Sequence, residues 1–228
     1  VTELKLRTIP SEILERRVDV ISAELFFQQW KNFQIENSRF QAWYDFTSQM
    51  IMILRYKPPG SSFRSFPTLK PTGYLAKRAL EIKSHVQGTL GQLMLTYVPL
   101  NPYIEAEYCI KRSNAVAAIK GLRLFLSKNH IKLLRPILIR FGGIDKLSWL
   151  SPANWTESVV FINVDLPKGQ EKNMAKIEKF MIEQFSARFH WGKWYSHDFA
   201  LMKQAYGDHL DKFIHYQEPR LKQLYGTL

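Results

Sequence analysis

The chain holds 228 residues, 46% of them hydrophobic and 14% aromatic, with a formal net charge of +12 at pH 7. That length and apolar content exclude a disordered chain, and a single cysteine, Cys109, excludes an internal disulfide and a cysteine-based metal site. No apolar run reaches the roughly 20 residues of a membrane-spanning helix, and the opening VTELKLRTIP has no signal-peptide core.

In chain order, TELKLR alternates and predicts a strand stopped by Pro10. Val1 reads as a position inside a longer protein. SAELFFQQWKNFQIEN (22–37) predicts a helix with Leu25, Phe26, Trp30 and Phe33 on one face. RFQAWYDFT and MIMILRY read as two strands. Between 55 and 83 the chain is densely basic, with Arg55, Lys57, Arg64, Lys70, Lys77, Arg78 and Lys83 against one acid, Glu81. Its Pro/Gly/Ser-rich part, 57–72, predicts a mobile loop. A helix is expected over 73–97, weakened by Gly88 and Gly91.

The clearest pattern follows. YIEAEYCIKR (103–112) sets Ile104, Ala106, Tyr108 and Ile110 against Glu105, Glu107, Cys109 and Lys111. Ser113 is a candidate N-cap for a helix with the stripe Val116, Ile119, Leu122 and Leu126. RPILIRF (135–141) and ESVVFINVDL (157–166) predict strands, and 168–187 a helix carrying Met174, Ile177, Met181 and Phe185. One or two C-terminal helices complete the order. It implies an α+β fold, an antiparallel or mixed sheet with helices packed on one face. Ile137, Ile139, Phe141, Val160, Ile162 and Val164 are expected to face the helices. Leu138, Arg140, Phe161 and Asn163 are left for solvent or a ligand.

Usual signatures are missing: there is no glycine-rich nucleotide loop and no metal-ligand spacing around His190 or His197. Ser196-His197-Asp198 is contiguous, whereas catalytic triads meet in space, so it reads as a helix start. HWGKW (190–194) stays open between two readings. Gly192 permits an unusual backbone angle or a close approach, and Lys193 supplies a fixed charge to a developing anion. Equally, the aromatics close a core corner with Lys193 in water.

RFHWGKW (188–194) resembles the Arg-Pro-His-Trp-Gly-Lys segment of the aldonolactone and alditol oxidases, flavoproteins of the vanillyl-alcohol-oxidase type. VTELKLRTIP is similar to the strand leaving their FAD-binding domain, RFQAWYDFTSQMIMIL to their first cap-domain strand pair, and PILIRF with WLSP (149–152) to their Glu-x-Arg strand. The resemblance implies that 1–228 is one cap (substrate) domain. Residues 1–10 would end the link from an N-terminal FAD-binding domain, and 188–228 would hold the motif and C-terminal helices. The open sheet face would then lie toward the flavin.

The resemblance further implies an FAD-dependent oxidase of a CH–OH group in a sugar lactone or polyol, inactive as the isolated segment. Arg140 and Lys193 take the catalytic positions, Leu138, Phe161 and Asn163 the substrate positions. His190, Trp191, Gly192 and Lys193 take the cofactor positions, with no metal. The partners implied are the chain's own FAD-binding domain and a small sugar-like substrate, in the cytoplasm. Departures are Leu138 for the family's glutamate, Phe189 for its proline, and a C-terminal pattern reduced to EPRLKQL (218–224). From the residues alone, the charge and aromatic content also admit a basic single-stranded nucleic-acid module. An oxidase bound to an anionic membrane surface and acting on a lipid-linked sugar is motivated by Leu138, Phe161 and the basic loop. Lys193→Ala and Arg140→Ala are expected to slow flavin reduction with little loss of fold, whereas Ile139→Ala or Phe185→Ala should cost core stability.

Overall fold

Two charged residues conceal the first strand. In the computed structural model, which describes residues 11–37, 39–82, 84–93 and 102–225, β1 spans Ile13–Ser22, where the sequence predicted none. Its Arg16 and Asp19 look like surface residues but are buried. Arg16 Nη1 donates to the Leu93 carbonyl at 2.7 Å, and Asp19 pairs with Arg55 at 2.5 Å. The strand expected at TELKLR lies outside the described residues.

The chain divides into two compact units, Val1–Gln41 with Met50–Val98 and Ala42–Gln49 with Pro99–Leu228; the sequence had suggested one. In the first unit β3 (Met50–Lys57) pairs antiparallel with β1, from Glu15 opposite Lys57 to Ser22 opposite Met50. The helix expected over 22–37 forms as two, α1 (Ala23–Gln28) and α2 (Trp30–Glu36), broken at Gln29. The Ser22 hydroxyl caps α1 by accepting the Leu25 N–H at 3.2 Å. Phe26, Trp30 and Phe33 are buried together. The helix expected over 73–97 is instead α3 (Gly73–Glu81), β4 (Val86–Thr89) and α4 (Leu90–Leu93); residues 94–97 lie outside the described set. Ile82 is extended and His85 takes a positive φ of 57°, which turns the chain so that β4 pairs antiparallel with β1.

Residues 58–72 have no helix or strand and are tied down at several points. Lys57 Nζ donates to the Ser62 carbonyl and Arg55 Nη1 to the Arg64 carbonyl, both at 2.8 Å. The Leu69 N–H reaches the Val20 carbonyl at 2.7 Å, and Phe66 packs on Phe33 at 5.0 Å. Arg55, counted among the basic residues of this run, is a core residue. β2 (Arg39–Asp45) divides between the units, Arg39–Gln41 in the first and Ala42–Asp45 in the second.

The second unit follows the predicted order closely. β5 (Tyr103–Lys111), α5 (Ala115–Lys128), β6 (Ile137–Gly142), β7 (Val159–Pro167), α6 (Glu171–Phe185), β8 (Arg188–Phe189), α7 (Phe199–Tyr206) and α8 (Asp208–Tyr225) succeed one another. The strands lie in the order β6-β7-β5-β8, each pair antiparallel, so the α+β architecture with an antiparallel sheet is realised. The aliphatic face of Ile137, Ile139, Val160, Ile162, Val164, Ala106 and Ile110 is buried with Ile119, Leu122 and Leu126 of α5 and Met174, Ile177 and Met181 of α6. Ser113 is not the N-cap expected. It sits in a 3-10 turn (Arg112–Asn114), and its hydroxyl donates to Glu157 at 2.9 Å, while Asn114 precedes α5. Among the described residues no helix is long and apolar enough to cross a membrane.

Ile139→Ala should destabilise the protein by about 2–5 kcal/mol, because the side chain is fully buried and its truncation leaves a cavity in the core. Phe185 is only half-buried, so Phe185→Ala should cost less; urea denaturation of both variants checks the order.

Candidate active site

In the second unit, the sheet face opposite the helices is built by strand register. Leu138 of β6 lies opposite Asn163 of β7, and Arg140 opposite Phe161. Across the other ladder Asn163 lies opposite Glu107 of β5, Phe161 opposite Cys109, and Asp165 opposite Glu105. Directly opposed residues in an antiparallel pair project to the same side, so these residues share one face. One end of that face is apolar: Phe161 packs with Trp155 on the buried cluster of Cys109, Ala153 and Val159. Gly142 leaves room for the Phe161 ring, since a Cβ there would lie 2.6 Å from Cε2.

The other end is charged. Arg140 donates to Glu107, whose side chain is 2% exposed against 43% for the arginine. Lys193 Nζ donates to Glu105 Oε2 at 2.6 Å, and Asn163 Nδ2 donates to Glu105 Oε1. Burial pushes the Glu105 carboxyl up, but the hydrogen bonds from Lys193 and Asn163 outweigh it and hold it below the usual carboxylate range. Arg135 Nε lies 3.0 Å from Asp165 Oδ2, with the Tyr103 ring 4.5 Å from its guanidinium. Each cation thus stands against its own carboxylate.

Lys193 reaches this face because the motif runs along the edge of β5. Phe189 and Arg188 pair with Tyr108 and Cys109. The His190 N–H then donates to the Glu107 carbonyl at 2.9 Å and the Trp194 N–H to the Glu105 carbonyl at 2.8 Å. Four motif residues span two of β5, and the surplus is a tight turn, closed by the Lys193 N–H on the His190 carbonyl at 3.0 Å. Gly192 serves the turn by closeness rather than by an unusual angle: its φ is not positive, and a Cβ would sit 3.1 Å from His190 Cε1. Its N–H donates to His190 Nδ1 at 3.0 Å.

The aromatic-corner reading of the motif also holds. Phe189 stacks on Tyr195 at 4.8 Å and meets Trp191 and Tyr206 edge-on at 4.8 and 5.2 Å. Trp191 Nε1 donates to the Leu150 carbonyl at 3.0 Å. One segment therefore closes a core and delivers a lysine. Ser196, His197 and Asp198 form no triad. The Ser196 N–H donates to the buried Glu178 at 3.0 Å, and Asp198 caps α7 through the N–H groups of Ala200 and Leu201 at 2.8 and 3.1 Å.

The register brings Leu138, Arg140, Phe161, Asn163 and Lys193 to one face, while His190, Trp191 and Gly192 build the turn that carries the lysine. Sequence reasoning missed Glu105, Glu107, Arg135 and Asp165. For three of them the signal was present: Glu105 and Glu107 lie on the polar side of the β5 alternation, and Asp165 continues the step from Phe161 through Asn163. It also missed Arg188, a buried guanidinium that donates to the carbonyls of Ala205 and Asn154 at 3.1 and 2.5 Å and lies 3.8 Å from the Trp155 ring centroid. Burial lowers its pKa, against the pull of Tyr206 and Cys109. Among the described residues no group of three His, Cys, Asp or Glu side chains could hold a metal ion.

An α+β domain with helices on one face of its antiparallel sheet and carboxylate–cation pairs on the other is the class that this fold and site define. Residues 61–219 match the family described as D-arabinono-1,4-lactone oxidase, and the chain belongs to that family. It is therefore a sugar-lactone-oxidase-type domain, of a family of oxidoreductases. A search of curated proteins gives no match.

Proposed function

We infer that this chain is the substrate domain of an FAD-dependent oxidoreductase that oxidises a CH–OH group of a sugar lactone or polyol. The observation that carries the reading is the gathering of Arg140, Lys193 and Asn163 on one sheet face. Each cation gives one N–H to a carboxylate and keeps further donors, and both side chains are partly exposed. That donor set fits an electron-rich ring or the oxygens of a polyhydroxy substrate.

In this reading Lys193 and the turn of His190, Trp191 and Gly192 face the cofactor, and Arg140 and Asn163 hold substrate oxygens. Leu138 and Phe161 supply apolar walls. FAD, when bound, takes up the hydride. Glu105 and Glu107 fix the positions of the two cations, so the donors need no reorganisation when negative charge develops near them. Leu138 lacks the acceptor of a glutamate, which favours a lactone with fewer hydroxyls over a long polyol. The partners are an FAD-binding domain and a small sugar-derived substrate.

The test is bleaching of the flavin in full-length, FAD-loaded protein by a panel of lactones and polyols. At least one lactone should bleach it, and Lys193→Ala should slow that reduction by about 10²–10³-fold, the usual loss for one stabilising donor. A protein that no lactone or polyol reduces sinks the oxidase reading; an unchanged rate in Lys193→Ala sinks the role of the lysine.

A further inference from the structure

Oxidising an alcohol releases the hydroxyl proton, and a group on the sheet face has to accept it. The candidates there are not equivalent. Glu105 already accepts from Lys193 and Asn163, and Glu107 from Arg140. His190 Nδ1 accepts the Gly192 N–H, so the neutral ring carries its proton on Nε2 and has no basic nitrogen to spare.

Asp165 differs from all three. Its Oδ2 faces Arg135, but its Oδ1 is buried and has no hydrogen-bond partner among the described residues. The residue is only 8% exposed, and a buried acceptor left without a donor is costly enough to need a reason. Strand register sets it opposite Glu105 and two residues beyond Asn163, on the face that holds Arg140 and Lys193. The charged groups around it are Arg135 from the segment before β6, Glu105 from β5 and Lys193 from the motif turn.

We propose that Asp165 is the proton acceptor of this site, receiving the substrate hydroxyl proton on Oδ1. The proposal rests on the oxidase reading above. In the step, the substrate C–H bond breaks and its electron pair passes with the hydrogen to FAD. The O–H bond breaks as its proton joins Asp165, and the carbon–oxygen single bond becomes a carbonyl. The substrate loses two electrons, the cofactor gains them, and the carboxylate becomes a carboxylic acid. Burial pushes the Asp165 carboxyl up to about 6, with the Arg135 charge opposing and the Glu105 charge adding. Such a group is ionised at neutral pH, yet basic enough to take a proton in a transition state. The competent form is the one present above about pH 6, so proton acceptance is lost as the pH falls through that value.

The test is flavin reduction followed by stopped flow in full-length, FAD-loaded protein, across about pH 5 to 8 so as to bracket the pKa of the base. The wild-type rate constant should fall as the pH drops below about 6. Asp165→Asn should lower it by about 10²–10⁴-fold at pH 7.5 (a typical contribution of general-base catalysis), and what remains should lose its acid limb. Binding of the lactone should change little. A variant that reduces at the wild-type rate, or keeps the same acid limb, overturns the proposal. A second measurement needs no turnover: ¹³C NMR of the aspartate carboxyls in the wild-type protein and in Arg135→Lys. Among the resonances, one should titrate near 6 and shift when Arg135 is replaced by lysine; if none titrates above the ordinary aspartate range, the proposal is overturned. A wild-type protein that no lactone or polyol reduces removes the oxidase reading and this proposal together, whereas normal wild-type reduction with an indifferent Asp165→Asn removes this proposal alone.

Discussion

Asp19→Ala should destabilise the protein by about 3–5 kcal/mol, the range for breaking a buried ion pair by removing one partner. Asp19 and Arg55 are both almost wholly buried, with side chains 2% and 1% exposed. The carboxylate accepts from Arg55 Nε at 3.2 Å and from Nη2 at 2.5 Å. Burial lowers the pKa of Arg55, with Asp19 opposing, yet a guanidinium gives up its proton too reluctantly to neutralise itself. Without Asp19 it would keep the Arg64 carbonyl and the rings of Phe66 and Phe63, whose centroids lie 4.9 and 5.5 Å away, and these compensate only in part. Segment 58–72 hangs on the same arginine, so limited proteolysis should cut there first. A double change, Asp19→Leu with Arg55→Met, should recover most of the loss, because the charge and its desolvation disappear together. Equilibrium unfolding in urea gives all three values. An Asp19→Ala within 1 kcal/mol of wild type, on the order of an exposed pair, would contradict the account.

Arg140→Ala should cost about 3 kcal/mol, which changes the expectation that it acts on rate alone. Its partner Glu107 is as buried as Asp19, so removing the arginine leaves an uncompensated carboxylate in the sheet. The figure sits at the low end of the range because the guanidinium itself is 43% exposed. Lys193→Ala behaves differently. Glu105 is 25% exposed and keeps the Asn163 hydrogen bond, so the loss should stay within about 1 kcal/mol, as for solvated pairs. Arg140→Ala with Glu107→Gln should regain stability without regaining flavin reduction. Thermal unfolding and stopped-flow reduction of the same samples separate the two effects. Equal melting temperatures for Arg140→Ala and wild type would contradict the burial argument.

The sequence was most readable where each strand keeps a clean alternation. From β5 to α6 every element was placed within a few residues, because one face of each is uniformly aliphatic and the helices have long stripes. β1 escaped because Arg16 and Asp19 interrupt its pattern, and their partners, Leu93 and Arg55, come from distant parts of the chain. β4 escaped because four residues are too few to outweigh the helical residues around them. The site was legible to the same extent. Alternation separates Leu138, Arg140, Phe161 and Asn163 from the core, but it cannot say which strand lies beside which. Pairing between strands is what sets Glu107 under Arg140 and Glu105 under Lys193. Nothing in a linear pattern announces that a carboxylate two residues past Asn163 has an oxygen without a donor.

The bond between Lys193 and Glu105 joins residues 88 positions apart, and it has a consequence for timing. On a ribosome β5 emerges long before the motif, and long-range pairings of this kind form late in folding. For that interval Glu105 has Asn163 but no lysine, and the β5 carbonyls at 105 and 107 have an open side. The nascent sheet edge there can recruit a strand from another chain. Arrival of residues 188–194 ends that exposure and completes the charge pairs in one event, so the polar face is assembled at the moment the sheet edge becomes safe from its neighbours.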